Sequence, residues 1–372
     1  RLVFAAVDTD KLEAAPFVNK YPLRAWPTFF VIDPVTGAAL AEHGGSLSLP
    51  ELQSFIDQAL RARDPSAAQE PQVKALLLGH RAMGQKDYAS AAQHYVDAVV
   101  AGGPRTAEAT VAVNRANHAA KNNAACVEFG VSHLDTLKTS SSASDFVGDL
   151  VSCATALDSK DPARKRALDL ARARIEALTN NPPVGASVDD KADALGILAD
   201  IAEAQKDDAA FTAAHEKRLA ILEADVASHA FVDDKRVQDY ARMNSYIALH
   251  RGADAVAMLT ERTQQLPDSY EAWARLASAL HQLHRDEEAV PAAKKAISLS
   301  YGPRRLRYDT LLADICAANK DAAGEASAVK QLVVDADSLP EGQRDDTVIK
   351  AAHQRAETAG AAGAAGASGH GK

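Results

Sequence analysis

The sequence predicts a mainly α protein, in which a short α/β unit is followed by an α-solenoid of about seven helix pairs. Three observations carry that prediction. Hydrophobic residues make up 47% of the 372 positions but aromatic ones only 5%; alanine, the strongest helix former, supplies much of the apolar count. Strand signals, β-rich runs bounded by Pro, Gly and Asp, are confined to the first sixty or so residues. Beyond them, apolar residues recur at helical spacing in paired segments with a period of roughly 30–40 residues, as in stacked repeats.

The α/β unit is assigned to residues 1–62. Leu2–Val7 (LVFAAV), bounded by Asp8-Thr9-Asp10, reads as a buried strand. Lys11–Tyr21 places Leu12, Ala15, Phe17 and Val18 at near-helical spacing, a short helix. Thr28–Ile32 is a second strand, entered through Trp26-Pro27. Asp33-Pro34-Val35-Thr36-Gly37 is a turn, and Ala38–His43 a partner strand ended by Gly44-Gly45. The next helix has Ser48 as its cap, Pro50 in its first turn and Glu51 three residues after the cap. Leu52, Phe55, Ile56, Ala59 and Leu60 form its apolar stripe.

Residues 63–71 are polar and Pro-bounded, a linker, and 72–338 read as helical repeats. The clearest pairs are Ala75–Pro104 and Glu271–Tyr301. The first carries Gly79, Tyr88, Ala91, Tyr95 and Ala98; the second Trp273, Leu276, Ala277, Ala289, Ala293 and Ala296. Small residues at fixed positions allow two antiparallel helices to approach, and large ones fill the groove between them. Further pairs are expected at 106–137, 146–178, 198–219 with its turn at Lys206-Asp207-Asp208, 246–267 with its turn near Gly252, and 311–334. Pro182–Gly185 marks an interruption. Residues 339–358 are assigned to a terminal helix. Residues 359–372, rich in Gly and Ala with almost no large apolar side chain, are expected to be disordered.

A net charge of −9 and a pI near 5.7 argue against a nucleic-acid partner, and no apolar run is long enough to span a membrane. Cys126, Cys153 and Cys316 contain no C-x-x-C pair; their odd number excludes a full disulfide framework, and they read as three small buried apolar side chains. Gly79–Lys86 lacks the G-K-[ST] ending of a phosphate loop. His281 and His284 share a helix face without a third ligand fixed in sequence. No catalytic, cofactor or metal residue is therefore assigned. Two basic clusters interrupt the acidic background: Arg164, Lys165, Arg166, Arg172 and Arg174 on one helix, and Arg304, Arg305 and Arg307 at the start of another. Arg164, Lys165, Arg166, Arg304 and Arg305 are the candidates for a patch facing an acidic partner segment.

The order β-α-β-β-α, with Val7-Asp8-Thr9-Asp10, Tyr21, Pro27-Thr28-Phe29, Gly37 and Phe55-Ile56-Asp57 in step, resembles the C-terminal half of a thioredoxin domain over about 60 residues. The resemblance implies a cis bond at Trp26–Pro27, and a wall for an extended substrate peptide made by Trp26, Pro27 and Thr28. The dithiol of that family precedes the strand seen here, so the chain is expected to be a piece of a longer parent and inactive in dithiol exchange. The repeats resemble tetratricopeptide repeats, with Pro267 six residues before Trp273, and imply a right-handed solenoid that binds protein or peptide clients. Two functions follow: a protein-interaction scaffold fused to a thioredoxin-fold module whose parent performs thiol–disulfide exchange, or a non-catalytic peptide-binding chaperone or scaffold. By analogy, fusions of this layout suit a bacterial cell envelope. Nothing in the sequence sets an oligomeric state.

Overall fold

A computed structural model describes residues 2–21, 23, 27–44, 47, 49–64, 66, 69–137 and 142–367. The elements in chain order are α1 (Ala15–Lys20), β1 (Thr28–Ile32), β2 (Ala39–Gly44), α2 (Leu49–Ala62), α3 (Pro71–Gly84), α4 (Tyr88–Ala101), α5 (Thr106–Ala119), α6 (Asn123–His133), α7 (Ala143–Thr155), α8 (Pro162–Asn180), α9 (Val188–Gln205), α10 (Asp208–Ser228), α11 (Val232–Lys235), α12 (Asp239–Ala248), α13 (Gly252–Gln265), α14 (Tyr270–Gln282), α15 (Asp286–Leu299), α16 (Gly302–Ala318), α17 (Ala322–Ser338) and α18 (Asp346–Ala367). They form two units, one of residues 21–225 and one that joins residues 1–20 to 226–372.

In the 21–225 unit, β1 and β2 pair antiparallel, with Thr28 opposite Gly44 and Phe30 opposite Glu42. The turn is fixed by Asp33, whose carboxylate accepts from the Val35 amide (3.2 Å) and the Thr36 hydroxyl (2.9 Å). Those bonds, the Val35 amide first, lower its pKa. Gly37 supplies the left-handed residue (φ 63°) that the turn requires, and the Tyr21 hydroxyl donates to its carbonyl at 2.7 Å. Helix α2 lays Phe55, Ala59 and Ala62 against Leu40, Ala41 and Val73.

Leu2–Val7 is not a strand. It is irregular and exposed, Val3 at 89% and Phe4 at 79%, and the sheet contains only β1 and β2 among the described residues. A β-rich sequence becomes a strand only when a neighbour satisfies its main chain. The thioredoxin-like strand order is thus reduced to a hairpin followed by α2. The Trp26–Pro27 bond and the Ser48 cap lie outside the described residues.

Among the described residues the helical remainder runs as seven consecutive pairings, α3/α4, α5/α6, α7/α8, α9/α10, α12/α13, α14/α15 and α16/α17, of which α9/α10 are joined by their turn with little further contact. Six share one turn. Lys86, Lys121, Lys206, His250, His284 and Lys320 all sit near φ 60°. The residue after each, Asp87, Asn122, Asp207, Arg251, Arg285 and Asp321, donates its amide to a carbonyl five residues back at 2.7–2.9 Å. This is the Schellman closure of the first helix. Asp87, Asn122, Asp207 and Asp321 then use their side chains to accept from the opening amides of the second helix. Where pairs adjoin directly, the turn recurs about every 35 residues. The α7/α8 turn differs: Arg164 donates to the carbonyls of Thr155 (2.6 Å) and Leu157 (3.0 Å) at the end of α7. Within each unit a helix also touches the one two places on, as α5 with α7, α7 with α9 and α14 with α16 do, which is how stacked pairs bury a continuous core.

Close approach depends on glycine. A Cβ on Gly79 would lie 2.4 Å from the ring of Tyr95, and that ring is buried along with Ala91 and Ala98. Gly79→Val is expected to destabilise the 21–225 unit by about 1–3 kcal/mol, the usual cost of overpacking a core. An unchanged urea midpoint would show that Tyr95 yields freely.

Two further expectations are corrected. Cys126 on α6 and Cys153 on α7 form a disulfide, so they are not free thiols; only Cys316 is, and it is buried. The two bonded residues are 27 apart in sequence and meet because α6 packs against α7, a juxtaposition that residue spacing does not encode. Helix α18 continues to Ala367, into the stretch 359–372 expected to be disordered, of which 368–372 lie outside the described residues. There the helix propensity of alanine outweighs the interspersed glycines, which cost about 1 kcal/mol each.

On α16, Asp309 is buried opposite Asp335 of α17, which Arg305 holds at 2.9 Å. Burial, reinforced by Asp335, pushes the Asp309 carboxyl up to about 7. The folded chain thus keeps a proton that an unfolded aspartate releases near pH 3.9, so stability falls as pH rises from about 4 to about 7. Asp309→Asn, which cannot ionise, is expected to be more stable than the parent by about 1–3 kcal/mol at pH 8 and to lose that advantage at pH 4. Thermal unfolding of both proteins at the two pH values tests this; identical pH dependence would overturn it.

Candidate functional site

The 21–225 unit contains a cleft of about 160 Å³ between the β2–α2 segment and helices α3–α5, lined by His43, Phe55, His80, Tyr95, Arg105, Glu108 and Arg115 among others. Arg105 grips Glu108 with two bonds of 2.7 Å and reaches the Leu40 carbonyl of β2 at 3.2 Å. His80 Nε2 stands 3.5 Å from the same carboxylate, and its Nδ1 is 3.1 Å from the Tyr95 hydroxyl. Burial alone would raise the Glu108 carboxyl. The charge of Arg105, with hydrogen bonds from His80 and Arg105, overrides it and holds the group at about 2. Burial raises the Tyr95 phenol. Glu108 is therefore a fixed anion matched to a fixed cation, and Tyr95 a fixed donor. The network ties the hairpin to the helices. Arg115 extends it, donating to the Gly44 carbonyl at 3.3 Å and facing Asp149 at 3.8 Å and Asp145 at 4.0 Å. Burial, opposed by Arg115, raises Asp145 to about 7.

In the unit of residues 1–20 and 226–372, Tyr301, Arg304 and Gln343 hold a turn of this same chain, residues 8–11, closed by the Lys11 amide on the Asp8 carbonyl at 3.3 Å and the Asp10 amide on the Asp8 carboxylate at 3.2 Å. The Tyr301 hydroxyl donates to the Asp8 carboxylate at 2.7 Å, and Arg304 Nε pairs with Asp10 at 2.7 Å. Gln343 donates to the carbonyls of Thr9 (3.0 Å) and Lys11 (2.7 Å). Gly302, at φ 59°, lets the Asp10 carbonyl approach so closely that a Cβ there would collide with it. Arg304 is itself held from behind. It lies 5.6 Å from the centre of the Tyr270 ring, donates to the Tyr270 hydroxyl at 3.0 Å and reaches Glu271 at 3.4 Å. Tyr270 packs against both Tyr301 and Tyr308 with ring centres 6.0 Å apart.

The residues singled out from sequence are dispersed over these features. Pro27 is exposed and Thr28 half-buried; Trp26 lies outside the described residues. Leu276, Ala277, Ala289 and Ala296 are buried between α14 and its neighbours. Trp273 and Tyr88 are half-buried, and the Trp273 indole donates to the Pro267 carbonyl at 2.8 Å. Of the proposed patch, Arg164 closes the end of α7, Lys165 pairs with Asp169 one turn on, and Arg166 is exposed. Arg305 is taken by Asp335. Arg304 alone of the five meets the acidic turn at Asp8-Thr9-Asp10. Tyr270, Tyr301, Tyr308 and Gln343 were not singled out. The available signal was that Tyr301 and Tyr308, two of only eight tyrosines in the chain, flank Arg304-Arg305-Leu306-Arg307.

The fold thus defines a helix-pair repeat protein. No protein-family model and no curated protein matches the sequence. Among solved structures, one described as the TPR2AB-domain:pHSP90 complex of yeast Sti1 is 16% identical, with 78% of this chain and 98% of that one covered and a TM-score of 0.29. So slight a likeness leaves the repeat assignment to rest on the shared turns and small-residue contacts themselves. No described helix is long and apolar enough to cross a membrane.

Proposed function

We propose that the chain is a non-catalytic protein-interaction scaffold of the tetratricopeptide type, whose helical surface holds short segments of client proteins. The observation that carries this reading is the Gln343 carboxamide, which donates to the Thr9 and Lys11 carbonyls of a turn in this same chain. Recognition through carbonyls depends little on the side chains of the segment it holds. Dithiol chemistry does not reside in this chain, because all three cysteines are buried and two are bonded to each other. The hairpin followed by α2 is what remains of the element order expected from the sequence, and in a longer parent it would supply the module beside a dithiol. The Cys126–Cys153 disulfide favours an oxidising compartment such as a cell envelope.

The test uses a permanently unfolded, thiol-blocked probe, reduced and carboxymethylated α-lactalbumin. The chain is expected to bind it, Gln343→Ala to bind it less well, and insulin reduction to stay at background. No binding below about 1 mM, or binding indifferent to Gln343, would sink the reading.

A further inference from the structure

The cleft of the 21–225 unit plays no part in client binding as proposed above. We propose that it is a small-molecule site, and that it takes an uncharged, single-ring aromatic compound whose carbonyl oxygen accepts from Arg105. The site lies wholly within that unit and goes beyond the scaffold reading.

Size and walls set the body of the ligand. The cleft measures about 160 Å³, and an engineered apolar cavity of about 150 Å³ holds one benzene ring. Leu47, Met83, Val111 and Ala112 contribute apolar surface. Four rings also line it, as two edge-to-face pairs: His43 with Phe55, centres 6.2 Å apart, and His80 with Tyr95, 5.6 Å apart. Ring edges and faces presented together favour a further aromatic ring over an aliphatic one of equal size.

The polar lining sets its functional group. Arg105 gives Nε and Nη2 to Glu108, and Nη2 also reaches the Leu40 carbonyl. Its Nη1 is buried with no acceptor among the described residues, on a side chain only 2% exposed. A buried donor on a charged group is costly to leave unmet, and a ligand oxygen relieves that cost. Charge balance makes the ligand neutral. Burial raises the Glu108 carboxyl, but Arg105 and the hydrogen bonds hold it at about 2, so the guanidinium already has its counter-ion. Glu42 and Glu51 line the β2–α2 wall. A second anion would add like charge in a low dielectric, and an ammonium would bring donors to a site that lacks an acceptor.

Benzamide is titrated against the full chain by ligand-observed NMR, beside toluene, which lacks the carbonyl, and benzoate, which carries a charge. Benzamide is expected to bind with a Kd below about 1 mM, at least about tenfold more tightly than either. In protein labelled at the methionine methyls, cross-relaxation should reach Met83, which lines the cleft, and neither Met243 nor Met258, which belong to the other unit; Met83→Leu identifies the signal. Ala112→Phe, which puts a ring into the cleft, should weaken benzamide at least about tenfold. Val184→Phe, at an exposed position of the same unit, should leave it unchanged. No binding below about 1 mM overturns the site. Toluene bound as tightly as benzamide overturns the part given to Arg105, and benzoate bound as tightly overturns the uncharged class. Unaltered affinity in an Ala112→Phe variant of native circular dichroism, or contacts to Met243 or Met258 instead of Met83, overturns the location. If Ala112→Phe does not fold, the Met83 contact alone settles the location. The lactalbumin experiment turns on Gln343, so either reading can fail without the other.

Discussion

Asp239→Ala is expected to destabilise the 226–372 unit by about 3–5 kcal/mol, the range for breaking a buried ion pair from one side. Asp239 opens α12 and is fully buried. Arg262 of α13 grips it with bonds of 2.6 and 3.1 Å, and Arg242, one turn on, adds a third at 3.3 Å. Both arginines are themselves buried, so alanine leaves two cations in low dielectric facing a single vacated site. The cost is the desolvation of those charges, which the carboxylate offsets in the parent. Asp239→Leu/Arg262→Met, which removes both principal partners and keeps apolar volume, should recover part of the loss. Hydrogen exchange resolves the effect locally: amides of α12 and α13 should lose protection while those of the 21–225 unit keep theirs. If Asp239→Ala leaves α12 and α13 protected as before, the triad contributes nothing to stability.

That triad marks where sequence reading ends. The helix pairs were legible because each is encoded locally: apolar residues at helical spacing, then Lys-Asp, Lys-Asn or His-Arg at the turn, whose left-handed residue and cap depend on immediate neighbours alone. The hairpin was legible for the same reason, Asp33 and Gly37 specifying their own turn. Leu2–Val7 is β-rich but has no neighbouring strand to satisfy its main chain. Into the tail, as far as Ala367, the helix propensity of alanine acts where large apolar residues are lacking. The Arg304 groove draws on residues from Asp8 to Gln343. No local pattern announces such a convergence; the sequence marks Arg304 only as a cation placed against a helix dipole. The mismatch was informative, since the charge that opposes the dipole of α16 is the one that pairs with Asp10.

The Cys126–Cys153 bond carries the second large effect. Its removal, by Cys126→Ser/Cys153→Ser or by reduction, is expected to cost the 21–225 unit about 2–4 kcal/mol. It closes a loop of 27 residues, which in the chain-entropy account corresponds to about 3.5 kcal/mol withheld from the unfolded state. Its position raises the effect, because both sulfurs lie in the largest apolar cluster of that unit, with Phe146, Leu150, Ile175 and Ile201. The pair therefore reinforces packing between α6 and α7 that already excludes water. Being buried, the bond should resist reductant in the native state and yield only as the unit opens, so reduction should proceed at the rate of local unfolding. Thiol titration decides the matter directly: unreduced, denatured protein should yield one thiol per chain, that of Cys316, and three after reduction. Three thiols without reductant, in protein prepared under oxidising conditions, would remove the bond and with it the case for an oxidising compartment.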